Sequence, residues 1–100
     1  MFDVKIKVLK RCIHYDLIKE YENPLTNPCE MIIGDEYISI NGKKPEGFCN
    51  NAWKNVGEYV KKLANGEENF FDGWMKNKKS AMISCDDGFR PVSFYIEVIE

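Results

Sequence analysis

Three of the four cysteines sit where a regular element should meet a turn: Cys29 in Asn27-Pro28-Cys29, Cys49 in Glu46-Gly47-Phe48-Cys49, and Cys85 in Cys85-Asp86-Asp87-Gly88. A thiol inside a strand or helix packs as a small hydrophobe, whereas thiols at the ends of different elements can converge on one metal or redox centre. Three thiolates with a fourth ligand would make a tetrahedral zinc site, or hold iron, and His14 or Cys12 is available as the fourth. No Cys-x-x-Cys knuckle is present, so spacing alone does not select a metal. Cys49 precedes the longest helical pattern, and a thiol there would meet unpaired amides and the positive end of the helix dipole. Both lower a thiol pKa below its free value of about 8.5. Cys49 is therefore the candidate nucleophile and His14 a conceivable base for it. The alternative is that all of these cysteines are core packing, because free cysteine is among the most buried residue types.

Other residues carry weaker signals. Asp86 and Asp87 could act as paired carboxylates, but Asp-Asp-Gly is also what a sharp turn needs. Arg90, just before Pro91, could clamp a carboxylate or phosphate with both arms of its guanidinium, or brace the turn by pairing with Asp86 or Asp87. Trp53 falls on an apolar helical face and reads as core. Trp74 lies in a stretch with no clear period and is the candidate for a ligand wall or a partner contact. The glycines are dispersed and form no phosphate-cradling loop.

These residues must be positioned by a small scaffold. One hundred residues make a single domain, residues 1–100, with one core. Hydrophobic residues at 44% and a net charge of -2 are ordinary for a folded chain. Fourteen basic and sixteen acidic side chains balance, so no field draws a polyanion and nucleic acid is not an expected partner. No apolar run approaches the roughly 20 residues that span a bilayer, and the first residues do not resemble a secretory leader. A cytosolic location without membrane association is expected, where thiols stay reduced.

The periodicity changes several times along the chain. Phe2, Val4, Ile6 and Val8 alternate with Asp3, Lys5 and Lys7, the pattern of a strand with one buried and one wet face. Ile13, Leu17, Ile18 and Tyr21 fit a short helix over 13–21, and Pro24 and Pro28 exclude regular structure after it. Gly34 marks a turn or bulge before a strand over 36–40, and the segment 41–47 reads as a surface loop. Ala52, Trp53, Val56, Val60, Leu63 and Ala64 recur on one face of a long helix that Asn65-Gly66 would stop. Residues 67–79 read as a loop whose aromatics tuck against the core. Strands follow over 80–85 and 92–99, joined by the Asp86-Asp87-Gly88 turn and therefore antiparallel neighbours. Lys5 and Lys7 have opposite charges to meet in Glu97 and Glu100, which favours pairing the first strand with the last.

The expected fold is α+β: a small, mostly antiparallel sheet of about four strands packed on one long helix, with a second short helix. The segments Asn27-Pro28-Cys29, Gly34-Asp35-Glu36, Pro45-Glu46-Gly47-Phe48-Cys49 with Ala52-Trp53, and Cys85-Asp86-Asp87-Gly88-Phe89-Arg90-Pro91-Val92 resemble those of a family of short prokaryotic proteins of about this length, found mainly in anaerobes. The resemblance implies cysteines at Cys29, Cys49 and Cys85, leaves Cys12 outside the pattern, and brings no activity with it. Two functions follow. One is a thiol- or metal-centred protein; the other is a binding or interaction module, joined to a partner or to its own copies through a sheet edge or the aromatic stretch from Phe70 to Trp74.

Overall fold

The computed structural model describes residues 1–24 and 31–100. Along the chain run β1 (Asp3–Arg11), α1 (Tyr15–Tyr21), β2 (Glu36–Ser39), α2 (Asn50–Ala64), the single turn α3 (Phe70–Gly73), β3 (Ser80–Ser84) and β4 (Val92–Ile99). The four strands form one antiparallel sheet in the order β2-β1-β4-β3, as an α+β fold. The alternation in β1 buries Val4, Ile6 and Val8, which face Val98, Ile96 and Phe94 across β4. Lys5 stands opposite Glu97 on the other face, with Nζ 4.0 Å from its carboxylate and 3.6 Å from that of Glu36. The expected partner for Glu100 differs: it meets Lys79, the residue before β3, rather than Lys7. A register shift between Val8 and Lys10 places Leu9 in a bulge against β4.

α2 lies across one face of the sheet and buries Ala52, Val56, Val60, Leu63 and Ala64 against Ile83, Phe94 and Ile96. Its start is set by Phe48, whose ring sits 5.9 Å from that of Trp53, five residues on, as a hydrophobic staple across the helix entrance. Its end is a Schellman motif. Gly66 takes φ +91°, its N–H donates to Leu63 O, and the N–H of Glu67 donates to Lys62 O. Gly57, inside the helix, has Trp53 folded over it; an added Cβ would lie 2.7 Å from the indole. Trp53 is therefore packed, as its position on the apolar face implies.

α1 behaves differently from a core helix. None of its residues is buried, and Ile13, Leu17 and Tyr21, whose spacing signals the helix, remain at the surface. The periodicity is real, but it does not report packing on the sheet. Backbone bonds from Cys12 N–H to Pro91 O and from His14 N–H to Phe89 O tether its start to the β3–β4 connection.

The stretch 67–79 is more ordered than a loop. Asn69, Phe71, Asp72 and Gly73 all take positive φ, so α3 is largely a left-handed turn rather than a continuation of helix. Tyr59 of α2 receives Phe70 and Phe71 at ring separations of 5.6 and 5.9 Å, which tucks these two aromatics against the domain as their composition suggests.

Candidate functional site

The thiols do not share a common setting. Cys49 is the N-cap of α2, as the sequence places it; its carbonyl accepts the N–H of Trp53 and its side chain makes no capping bond. It is half-buried and packs beside the core with Cys85. Cys85 is engaged by its own strand connection: its N–H donates to Val92 O at 3.1 Å, and its Sγ accepts the Val92 N–H at 3.3 Å. That sulfur completes the backbone pairing where β3 leaves the sheet. Cys12 is exposed, and its Sγ lies 3.9 Å from Nε2 of His14. His14 is thus matched with Cys12 rather than with Cys49. Cys29 falls outside the described residues.

Cys12, Cys49 and Cys85 are all free thiols. Among the described residues no group of three or more histidine, cysteine or acidic side chains is placed to hold a metal ion. The Cys12–His14 contact needed no distant information. Two residues separated by one in an extended segment point the same way, so the Cys-x-His pattern is itself a signal.

Arg90 finds a different carboxylate from the two beside it in sequence. Its Nη1 donates to Glu22 Oε2 at 3.0 Å and its Nη2 to Glu22 Oε1 at 2.5 Å, the two-armed geometry that guanidinium offers a carboxylate. Only 18% and 12% of the two side chains are exposed, so the pair is sheltered. The hydrogen bonds that Arg90 donates to Glu22 raise the arginine pKa above its ordinary value against an opposing effect of burial, with the charges of Glu22 and Asp87 adding to the rise. Asp87 serves the turn through the backbone: its Oδ1 accepts the N–H groups of Phe89 and Arg90 at 2.8 and 3.0 Å. The anion that Arg90 clamps is therefore intramolecular, and the clamp fastens the end of α1 to the β3–β4 connection.

Trp74 is the most exposed large hydrophobic side chain among the described residues. It is 82% exposed and stands at the rim of a hollow of about 290 Å³ formed with Phe71, Met75 and Met82. Phe71 and Trp74 stack at a tilt with centroids 6.2 Å apart, so the left-handed turn continues the aromatic row from Tyr59 out to the surface. Met82 reaches the hollow from β3, on the sheet face that α2 leaves uncovered. Neither methionine was singled out by sequence, since each reads as ordinary strand or loop filling.

Compared with known proteins, the chain matches no family model, no curated protein and no solved structure. No helix among the described residues is long and apolar enough to cross a membrane.

Proposed function

We propose that the protein is a non-catalytic interaction module of the cytosol, which receives an apolar side chain of a partner polypeptide in the cleft of Phe71, Trp74, Met75 and Met82. The observation that carries this reading is the indole of Trp74, 82% exposed at the rim of a hollow it shares with Met75 and Met82, beside a turn that runs left-handed. Left-handed backbone costs about 1–2 kcal/mol per non-glycine residue, and such strain collects at ligand clamps. Methionines line surfaces that adapt to varied apolar ligands, and exposed tryptophan is a common interface anchor. The absence of charge from the cleft lining favours an apolar anchor over an ionic one.

Selection of displayed random peptides on the immobilised protein tests the idea. Peptides with a large apolar anchor should be recovered, and Trp74→Ala should weaken them by about tenfold or more, which is about 1.4 kcal/mol, while leaving the unfolding midpoint unchanged. Recovery of no such peptide, or equal binding to Trp74→Ala, would remove the reading.

A thiol-centred function is the second reading, and one observation favours it. The exposed Cys12 sulfur lies in contact with an imidazole nitrogen, the arrangement from which thiolate chemistry or soft-metal binding can be built.

A further inference from the structure

The two edges of the sheet are not alike. Val8 N–H donates to Asp35 O, and the pairing alternates from there: Tyr37 and Ser39, opposite Ile6 and Val4, turn their backbone groups toward β1, while Glu36 and Ile38 turn theirs outward; Ile40 follows the strand, its carbonyl accepting the Lys43 N–H. Ile38 and Ile40 are 44% and 59% exposed, so this edge offers apolar side chains together with open backbone groups. On β3 the corresponding outward positions are Ser80, Met82 and Ser84. There the carbonyl of Ser84 accepts the side-chain amide of Asn55 at 2.8 Å, and Ser80 is fully buried. One edge is covered at both ends by the molecule itself; the other is a strand of four residues whose outward Ile38 is 44% exposed.

We infer that the β2 edge docks a second copy of this chain, the two β2 strands pairing antiparallel about Ile38 so that both sheets become one. Centred there, the strand is complementary to itself. Ile38 exchanges both backbone bonds with its counterpart, and the N–H of Ile40 meets the carbonyl of Glu36 in the other copy. Directly opposed residues share a face, so Glu36 of one copy is brought beside Ile40 of the other. Ile40 lines a hollow of about 260 Å³ with Ile38, Lys43, Lys44, Pro45 and Glu46. Lys44 Nζ donates to Phe48 O at 3.1 Å, and exposed Lys43 supplies a second charge for the incoming Glu36 carboxylate, which lies 3.6 Å from Lys5 Nζ within its own chain. A two-fold axis repeats each contact, and an interface that uses the same patch on both copies closes at two. This surface is separate from the Trp74 cleft, so either assignment can fail without the other.

Sedimentation equilibrium of the full chain over micromolar to millimolar concentration tests the inference. The expected mass at the upper end is twice that of one chain. Ile38→Lys should give the mass of one chain throughout while still unfolding cooperatively, because Ile38 is 44% exposed and turns its N–H away from β1. Met82→Lys, at the closed edge, should leave the dimer intact. Glu36→Lys should raise the dissociation constant by about tenfold or more through like charges facing Lys43, and adding Lys43→Glu to the same chain should restore it. A single-chain mass for the wild type at every concentration, a dimer that survives Ile38→Lys, or one that separates with Met82→Lys would each overturn the proposal.

Discussion

Cys12, Cys49 and Cys85 differ in what their sulfurs touch, and their reactivity should follow those contacts. Cys12 is open to solvent beside His14, Cys49 is half-buried at a helix start, and Cys85 accepts a backbone N–H. Modification by an aromatic disulfide reagent, located by peptide mass spectrometry, should therefore reach Cys12 first and Cys85 last, because freeing the latter sulfur leaves the Val92 N–H without its acceptor. Early labelling of Cys85 would show that this hydrogen bond does not restrain it. Sequence spacing drew attention to Cys49 and Cys85 because both flank elements, and their placement at those junctions is correct. It did not reveal that the Cys85 sulfur accepts the Val92 N–H, since that depends on which backbone passes nearby. Arg90 shows the same boundary more sharply. A bidentate carboxylate partner was legible from its chemistry, but Glu22 lies 68 residues away in the chain, and nothing local prefers it to Asp86 or Asp87. The exposure of Trp74 was legible because no helical or strand period could bury it.

The elements follow their periods closely wherever a period exists. The alternation of β1 and β4 and the apolar face of α2 predict which side chains are buried, including Ile6, Phe94 and Leu63. A limit appears at α1, where the spacing identifies a helix but the apolar face has no sheet beneath it. A second limit is α3, since phenylalanine has no intrinsic preference for left-handed backbone and the tolerance of aspartate for it does not by itself mark such a turn. Gly57 belongs to this scale as well. Alanine in a helix interior is ordinarily better than glycine by about 1 kcal/mol. Here the added methyl would press on the Trp53 indole at 2.7 Å, and overpacking costs about 1–3 kcal/mol. Gly57→Ala should therefore lower stability to urea by about 1 kcal/mol and shift the Trp53 emission, whereas a gain in stability would mean that the indole moves aside at no cost.

At the scale of the whole molecule, the strand order places both chain ends in the middle of the sheet. β1 and β4 are neighbours along their full lengths, with Asp3 opposite Ile99, so the pairing suggested by Lys5 and Glu97 is also the pairing on which everything else is hung. The Cα radius of gyration of 14.3 Å is a little above the roughly 13 Å of a typical chain of this length, consistent with α1 standing off the core. Because the ends lie side by side, joining residue 100 to residue 1 through a short glycine linker and opening the chain between Glu46 and Gly47 should yield a circular permutant. It should unfold cooperatively at a midpoint near that of the parent. Loss of cooperative unfolding would show that the surface connection between β2 and α2 is needed for the sheet to form.

That strand order also bears on how the polypeptide is made. During translation the residues of β1 emerge early, yet their central neighbour consists of residues 92–99. At about 5–20 residues per second, the valines and isoleucine of β1 wait through the synthesis of nearly every other element before their main partner leaves the ribosome. Until then only β2 can pair with β1, and the β4 side of the apolar first strand is the segment that a ribosome-bound chaperone would have to shield until β4 arrives.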